Sequence, residues 1–453
     1  MLCENELDVV VIGAGTAGLS AARRLAELGV TFVVVDQGPL GTTCARVGCM
    51  PSKALLHQGA EVAANHANAA PSTTTIAHHW QLVVATRDAL AGAAATRART
   101  WLGDRLIMGK ARFESKHVIR VEDKAITAKS FIVATGSQSF VPQSFNALAP
   151  KTLTTDTLFD LPTLPKSVGI IGLGAIGLEI GLALSRLGID VIGAESKAWP
   201  AGIVDPVIAK QAIERFSVEL PMWLGRPVDA KLIDGKVLLS TGINSAQVDY
   251  VLLALGRVPR EEQLDLDATG VLRDHEGRLL IDPQTLSSGD ATNIYFAGDV
   301  SNKRPLMHEA VYEGKLAAQL AAKSSALHER WPVMNILFSD PDLANAGLTY
   351  DQLSADEHVI GTATGASNGR SKILQTPDNI VRVYAERRTG AIVGASLLTV
   401  RGEHLCHLLA WAIQRRETIA SLLELPFYHP TIEELIQSAL MDARAKMSSP
   451  ENQ

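Results

Sequence analysis

The chain is poor in cysteine and aromatic residues and has no excess of positive charge. Only 4 of its 453 residues are cysteine, which excludes a secreted disulfide framework and favours a reducing compartment. The 42 lysines and arginines are outnumbered by 48 acidic residues, so the basic footprint of a nucleic-acid binder is missing. Hydrophobic residues make up 47% and aromatic residues 5%, the profile of a globular protein of roughly two to four domains.

The sequence predicts neither a targeting segment nor a membrane span. Glu4 and Glu6 stand near the N-terminus, where a signal or transit peptide carries Lys or Arg. The apolar stretch 168–185 is long enough to imitate a membrane span, but Glu179 and several glycines interrupt it. A buried strand followed by a helix is the better interpretation. We therefore expect a cytoplasmic protein without membrane or nucleic-acid partners.

Two segments contain the same series of sequence features, 159 residues apart. Each has a β-branched strand, a G-x-G-x-x-G turn, a helical stretch closed by glycine, and a second apolar run ending in an acid. The closing glycines are Gly29 and Gly188, and the acids are Asp36 and Glu195. The motif glycines are Gly13, Gly15 and Gly18 in the first segment and Gly172, Gly174 and Gly177 in the second.

This repeat predicts two dinucleotide sites, although a lone glycine triplet also fits an ordinary helix-packing turn. The first glycine makes the tight turn, the second lets backbone approach a pyrophosphate, and the third allows close helix–strand packing. The acids would accept hydrogen bonds from ribose hydroxyls. Because the Glu195 carboxylate would repel a 2′-phosphate and only Lys197 offers a nearby cation, NAD(H) is favoured over NADP(H) at the second site.

Cys44 and Cys49 stand five residues apart in the segment 41–53. In a regular helix that spacing is about 7.5 Å along the axis, beyond the roughly 7 Å Cα limit of a disulfide. A bridge therefore needs distorted backbone, which Gly48 and Pro51 favour, and it would be readily reducible. The alternatives are zinc ligands, which lack a second cysteine cluster, and buried unpaired thiols. Cys3 is interpreted as a tail thiol and Cys406 as a helix packing residue.

The remaining segments indicate mixed α/β structure. Residues 50–102 predict two helices around a loop at 71–74, and residues 110–133 predict an antiparallel meander. The proline-rich segment 142–165 is interpreted as a linker into the second unit. Residues 293–299 predict a strand that runs into an acid, and a third fold unit begins at Met334.

Together these motifs resemble the class I pyridine nucleotide–disulfide oxidoreductases, the family of dihydrolipoamide dehydrogenase, glutathione reductase and mercuric reductase. The resemblance spans nearly the whole chain, with the motifs in family order. Segment 43–53 is similar to the redox-active segment, 134–136 and 298–299 to the elements that close over FAD, and 429–434 to the C-terminal active-site motif. The fold class it implies is α/β, with two Rossmann-like dinucleotide-binding domains and a C-terminal α+β dimerisation domain.

The resemblance also implies domain bounds and partners. An FAD-binding domain would cover 1–150, an NAD-binding domain 151–275, a central segment completing the FAD domain 276–333, and a dimerisation domain 334–453. The cofactors would be FAD and NAD, with no metal. The protein would be a homodimer acting on a small dithiol or disulfide, or on a lipoyl domain.

Residue roles follow from the same resemblance. Cys44 would be the interchange thiol that meets the substrate, and Cys49 the thiol beside the flavin. His429 would shuttle protons for the cysteines of the other subunit, and Glu434 would orient it. Because Thr431-x-x-Glu434 also fits a capping box, Glu434 could start a helix, orient His429 or do both. Lys53 would approach the flavin and pair with Glu179.

The cofactor-binding candidates share a position in one of the family motifs or beside one. His308 either lines the flavin or is simply a packed histidine. The full set is Gly13, Gly15, Gly18, Asp36, Thr43, Lys53, Thr135, Gly136, Ser137, Asp299, Met307, His308, Gly172, Gly174, Gly177, Glu179, Glu195 and Gly256.

The expected function is an FAD-dependent dithiol/disulfide oxidoreductase of the dihydrolipoamide dehydrogenase type. One alternative keeps the machinery but reduces another small disulfide, as glutathione reductase does. A second is a flavoprotein NADH oxidase or transhydrogenase, whose chemistry needs no cysteine pair. A third is a non-catalytic binding protein with an inherited fold.

Overall fold

The computed structural model of the chain describes residues 7–66, 70–324 and 330–447. Its first part contains a parallel sheet in which β1 lies between β2 and β6, and β2 pairs with β3. Since β1 is buried on both faces, its run of valines is what a central parallel strand requires. The elements are β1 (Leu7–Ile12), α1 (Thr16–Glu27), β2 (Phe32–Asp36), α2 (Thr43–Arg46), α3 (Cys49–Asn65), α4 (Thr73–Leu102), β3 (Leu106–Met108), β4 (Ala111–Ser115), β5 (Val118–Val121), β6 (Lys124–Val133) and β7 (Ser137–Ser139).

The meander predicted for 110–133 is confirmed but incomplete. Strands β4, β5 and the beginning of β6 pair antiparallel. The end of β6 then pairs parallel with β1, a second role that the prediction missed. Phe131, Ile132 and Val133 are fully buried, so this half of the strand belongs to the sheet core, whereas Lys124 and Ala125 are exposed.

The second part builds another parallel sheet in the order β11-β10-β9-β15-β8. A separate antiparallel sheet has the order β12-β13-β14, and β16 pairs with β7. The elements are β8 (Thr152–Leu153), α5 (Thr155–Leu158), β9 (Ser167–Ile171), α6 (Ala175–Arg186), β10 (Asp190–Glu195), α7 (Pro206–Phe216), β11 (Met222–Leu224), β12 (Asp229–Ile233), β13 (Lys236–Ser240), β14 (Ser245–Val248), β15 (Tyr250–Leu253) and β16 (Arg257–Pro259).

The internal repeat is confirmed, because β9, α6 and β10 reproduce β1, α1 and β2. The stretch 168–185 is a buried strand and helix, as predicted. The interpretation of 142–165 as a linker was wrong. It contains a 3-10 helix (Gln143–Lys151), α5 and β8, and β8 joins the second sheet through β15. The four prolines of the segment all lie outside the two-residue strand β8.

The chain then returns to the first sheet through β17 (Ile294–Phe296), which pairs with β6, and α8 (Met307–Ala321). Helix α8 packs closely on α1, where a side chain at Gly314 would collide with the carbonyl oxygen of Ala17. The strand predicted in 293–299 is confirmed and runs into the 3-10 helix Gly298–Ser301.

The last part forms an antiparallel sheet in the order β18-β19-β22-β21-β20, covered by α10 and α12. Cys406 is fully buried in α10, as predicted, whereas Cys3 lies outside the described residues. The elements are β18 (Met334–Leu337), β19 (Asp342–Gly347), β20 (His358–Thr364), α9 (Gly369–Ile373), β21 (Ile380–Glu386), β22 (Ile392–Thr399), α10 (Gly402–Gln414), α11 (Ile419–Leu423) and α12 (Glu434–Met447).

Helices α3 and α6 bring the two parallel sheets together. They share a hydrophobic core to which α3 contributes Leu55 and α6 contributes Ile180 and Leu184. Gly59 permits their close crossing, since a Cβ there would lie 2.7 Å from the carbonyl oxygen of Ala183. No helix within the described ranges has the length and hydrophobicity to cross a membrane.

Candidate active site

The first glycine motif forms a tight loop between β1 and α1. A Cβ at Gly13 would collide with the carbonyl oxygen of Ala134, and one at Gly18 with that of Gly13. Gly15 differs, because a Cβ there would have nothing within 4 Å. The first and third glycines are therefore needed for packing, and the second faces open space that a pyrophosphate could occupy.

The second motif has the same geometry. A Cβ at Gly172 would lie 2.6 Å from the carbonyl oxygen of Ala254, and one at Gly177 would collide with Gly172. A Cβ at Gly174 would have nothing within 4 Å. The loop before α6 can therefore accept a second pyrophosphate at the helix N-terminus.

The two acids lie beside these loops. Oδ2 of Asp36 accepts a hydrogen bond from the Ala14 N–H at 2.6 Å, and Oε2 of Glu195 accepts one from the Leu173 N–H at 2.9 Å. Each carboxylate is thereby oriented by its own glycine loop. Because a carboxylate oxygen can accept more than one hydrogen bond, both remain able to bind ribose hydroxyls.

A cavity of about 710 Å³ extends from the first glycine motif to the cysteine pair. The orphaned Thr135 hydroxyl points to a bound group, because its buried Oγ1 has no hydrogen-bond partner in the described part of the chain. Open space above Gly15 and this unsatisfied hydroxyl fit a dinucleotide such as FAD. The predicted site residues among its lining are Gly13, Gly15, Asp36, Thr43, Cys44, Cys49, Lys53, Thr135, Gly136, Glu179, Asp299 and Met307.

Other predicted residues are not among the described lining of this cavity. Gly18 packs behind the first loop, and Ser137 donates a hydrogen bond to Oδ2 of Asp299 at 2.6 Å. His308 lies against Trp331, with ring centroids 6.4 Å apart. The second-motif residues Gly172, Gly174, Gly177, Glu195 and Gly256 also lie outside that lining, whereas Ala175 and Ile176 at the start of α6 belong to it.

The cysteine pair spans a break between two helices. Cys44 lies in α2 and Cys49 begins α3, with Gly48 between them in a non-helical conformation (φ −115°, ψ −120°). The predicted backbone distortion is thus present. Both cysteines are free thiols in the structure, so it has the pair in its reduced form.

The two thiols differ in acidity. A hydrogen bond from Cys44, together with the charge of Lys53, lowers the pKa of Cys49 to about 6 against the opposing effects of burial and Glu179. The same hydrogen bond, together with burial, raises the pKa of Cys44 well above its usual range. Cys49 is therefore the thiolate of the reduced pair at neutral pH, and Cys44 keeps its proton.

Lys53 and Glu179 form the predicted ion pair, with Nζ lying 2.8 Å from Oε2. Phe338 completes the contact, which no motif in the sequence indicates. Its N–H donates to Oε1 of Glu179 at 3.0 Å, and its ring centroid lies 4.6 Å from Nζ of Lys53. Glu179 is only 5% exposed, so its charge is balanced by the lysine and by this backbone N–H.

His429 and Glu434 are close to each other and absent from the described cavity lining. Nδ1 of His429 lies 3.0 Å from Oε1 of Glu434, whose Oε2 accepts the Thr431 N–H at 2.9 Å. These two bonds lower the pKa of Glu434, the backbone bond most strongly. Glu434 thus both begins α12 and orients His429, so the two roles considered from the sequence occur together. The Thr431 hydroxyl donates to the Tyr428 carbonyl, so only half of the capping box forms.

Two further contacts were not predicted. Sγ of Cys44 lies 4.0 Å from Sδ of Met307, so Met307 borders the interchange thiol as well as the cavity. Arg257 also lines the cavity and binds Ser137. Its position directly after Gly256 was the only signal in the sequence. In the described ranges, no group of three or more His, Cys, Asp or Glu side chains could hold a metal ion.

Family comparisons cover most of the chain. Residues 7–314 match the family described as pyridine nucleotide-disulphide oxidoreductase. Residues 333–440 match the dimerisation domain of the pyridine nucleotide-disulphide oxidoreductases. The two matches follow one another along the chain, with the described cysteine pair in the first and His429 in the second.

Two of the similar proteins are dihydrolipoyl dehydrogenases. Identity is 29% to the protein of Halobacterium salinarum, over 95% of each chain, and 30% to that of Thermus scotoductus, over 95% of this chain and 96% of the relative. Among solved structures, the HOCl-induced flavoprotein disulfide reductase RclA of Escherichia coli matches with a TM-score of 0.82 at 22% identity. The match covers 96% of this chain and 99% of that one. This last likeness shows a shared fold.

Proposed function

We propose that this chain, which belongs to the pyridine nucleotide-disulphide oxidoreductase family, passes electrons between a small dithiol, the Cys44–Cys49 pair, FAD and NAD(H). Membership makes it an FAD-dependent oxidoreductase acting on sulfur groups. The proposal adds the residues that carry the reaction and the class of substrate. Relatives named dihydrolipoyl dehydrogenase, similar over nearly the full chain, support dihydrolipoamide as that substrate.

One observation carries the proposal: the cysteine pair lines the same cavity as Gly15 and Asp299. The ion pair of Lys53 and Glu179 borders that cavity as well. A thiolate stabilised by a neighbouring ammonium, inside a cavity fit for a dinucleotide, has the arrangement needed to exchange electrons with a bound flavin.

The unequal acidity of the thiols supports their roles. In the oxidised enzyme, one thiolate of the substrate attacks Cys44, forming a mixed disulfide and breaking the Cys44–Cys49 bond. Cys49 leaves as the thiolate, and a leaving thiol of low pKa departs faster. The second substrate thiolate then attacks the substrate sulfur that is bonded to Cys44 in the mixed disulfide. This step releases the oxidised substrate as a cyclic disulfide and leaves Cys44 reduced. Two electrons and two protons are thereby transferred to the enzyme.

The protons of the substrate thiols require a base, for which we propose His429 of the partner subunit. Imidazole is a common general base in enzymes, and Glu434 fixes the orientation of the His429 ring through Nδ1. The imidazole side chain is 75% exposed in the single chain, as a group serving a second subunit must be. The chain carries the dimerisation domain of the family, which supports a homodimer whose active sites combine residues of both subunits.

Bound FAD would supply the two-electron acceptor beside Cys49, and bound NAD⁺ the final hydride acceptor. Asp36, the Gly13–Gly18 loop and Asp299 would hold FAD, and Glu195 with the Gly172–Gly177 loop would hold NAD. We accordingly assign 1–150 and 276–333 to the FAD domain, 151–275 to the NAD domain and 334–453 to dimerisation. A cytoplasmic location stays a prediction from the sequence.

An anaerobic titration of the flavoprotein tests the proposal. Dihydrolipoamide should produce a long-wavelength charge-transfer band, because the Cys49 thiolate then lies beside oxidised flavin. Cys44→Ser should abolish turnover with dihydrolipoamide while FAD stays bound, with Cys406→Ser as the matched control. Turnover undiminished in Cys44→Ser would refute the assignment. Faster turnover with glutathione disulfide and NADH than with lipoamide would refute the substrate class alone.

A further inference from the structure

Arg257 stands at the crossing between the two dinucleotide-binding parts of the chain. Strand β7 leaves the first part, β16 returns from the second, and the two pair antiparallel with Arg257 opposite Ser139. From β16 the guanidinium reaches back to Ser137. Nε donates to the Ser137 hydroxyl at 2.9 Å, and Nη2 donates to the Ser137 carbonyl oxygen at 2.9 Å.

These bonds determine where the serine proton goes. A guanidinium can only donate, so the Ser137 oxygen accepts from Arg257 and its single proton remains for another acceptor. That acceptor is Oδ2 of Asp299, at 2.6 Å. The hydrogen bonds therefore run in one direction, from Arg257 through Ser137 to Asp299. The last acceptor in this series of hydrogen bonds, the Asp299 carboxylate, belongs to a residue that lines the cavity.

Arg257 is itself held firmly. Its Nη1 and Nη2 each lie 3.3 Å from Oδ1 of Asp156, and Nη1 also donates to the hydroxyls of Ser139 and Thr155. The arginine side chain is only 15% exposed. Several bonds to a rigid planar group leave little freedom of rotation, so the serine hydroxyl is fixed as well.

We propose that Arg257 is a positioning residue for the FAD site, acting through Ser137 to hold the Asp299 carboxylate in its FAD-binding orientation. The strand pair β7–β16 thereby links retention of FAD to the junction with the NAD-binding part. This inference rests on the proposed function only in assigning Asp299 to FAD. A charge-assisted hydrogen bond of this kind is about twice as strong as a neutral one, so its loss should be measurable.

The test measures the rate of FAD release from the purified holoenzyme by the recovery of FAD fluorescence. Ser137→Ala and Arg257→Lys should each speed release by at least about tenfold, since a charge-assisted bond is lost. Lysine keeps the charge opposite Asp156 but cannot make the paired bonds to Ser137. Ser139→Ala is the matched control, because it removes another hydroxyl bonded to Arg257 without touching Asp299. Its release rate should stay within about twofold of the wild-type rate.

The double variant separates action through Ser137 from an independent effect. In the Ser137→Ala background, Arg257→Lys should raise the rate of FAD release little further. If the two substitutions instead multiply their separate effects on that rate, the proposal is overturned. Melting of the FAD-free chain reports folding. If Arg257→Lys lowers that melting temperature, the test uses the rate of FAD release from Ser137→Ala alone. A Ser137→Ala protein that keeps FAD as well as the wild type refutes this inference only. A wild-type chain that binds no FAD refutes the proposed function too.

Discussion

Lys53 of α3 reaches across to α6, where its ammonium nitrogen lies 2.8 Å from Oε2 of Glu179. The two charges act on the Cys49 thiol with opposite sign, the lysine lowering its pKa and the glutamate raising it. The hydrogen bond from Cys44 has the largest effect on the pKa of Cys49, and the ion pair adds two opposing effects that can be removed separately.

Removing Lys53 should raise the pKa of Cys49, and removing the charge of Glu179 should lower it. We expect Lys53→Met to move the midpoint of Cys49 ionisation from near 6 to a pH higher by about one unit. Glu179→Gln should move it the other way. The ultraviolet absorption of the thiolate in the reduced FAD-free protein measures both. Shifts of the same sign would indicate a general disturbance of the site rather than charge.

The glycines of each motif should separate into two groups when replaced by alanine. Gly15→Ala and Gly174→Ala place a methyl group in open space, so the chain should fold normally while losing affinity for FAD and NAD respectively. Gly18→Ala and Gly177→Ala would collide with backbone and should destabilise the fold by about 1–3 kcal/mol or more. Thermal melting without nucleotide and separate FAD and NADH titrations measure the two effects. Equal melting temperatures across the set would contradict this division.

A shared active site predicts complementation between two inactive variants. Cys44→Ser and His429→Gln homodimers should each turn over slowly, the second by about a hundredfold or more. A heterodimer formed by co-expression contains one site in which Cys44 and His429 are both intact. It should recover about half of the wild-type rate per dimer, as expected for one working site of two. A heterodimer as slow as its parents would place both residues in the same subunit's site.

Glu434 is expected to act through His429. Glu434→Gln keeps an oxygen for the Thr431 N–H but loses the charge that stabilises imidazolium, so turnover should fall by roughly tenfold or more. Glu433→Gln is the matched control and should leave the rate unchanged. The pH–rate profile distinguishes this role from a structural one. Loss of the Glu434 carboxylate should shift the inflection of that profile that reports the His429 imidazole. An unshifted profile together with a slower rate would assign Glu434 to helix capping alone.

Much of this structure could be predicted because it is local. The strand–loop–helix repeat and the break between Cys44 and Cys49 are both present. The ion pair of Lys53 with Glu179 is also present, but it joins distant segments and was expected only from the family resemblance. The family, the FAD-dependent class of activity and the cofactors are confirmed by the comparisons. Periodicity and glycine spacing report backbone geometry over short stretches, which is why these features were accessible.

The features that were missed depend on contacts distant in sequence. Phe338 meets Lys53 and Glu179 from the C-terminal part, and nothing around residue 338 indicates this. β8 lies in a segment that the sequence predicts to be a linker, because its partner β15 lies about a hundred residues later. His308 contacts Trp331, a contact that depends on how α8 meets the following loop, and its place at the flavin stays a prediction. Such pairings follow from tertiary packing, which outweighs local preference.

The crossing of α3 and α6 at Gly59 has a consequence for the timing of the reaction. Because no side chain separates the helices there, the two parallel sheets are held close together at one point, and we expect the thiol end of α3 to keep its distance from the second glycine loop between turnovers. Reducing equivalents would travel over fixed distances in a rigid frame, and only small side-chain movements would admit and release the nicotinamide. Solvent viscosity should then leave the catalytic rate almost unchanged, in contrast to enzymes that close by swinging whole domains.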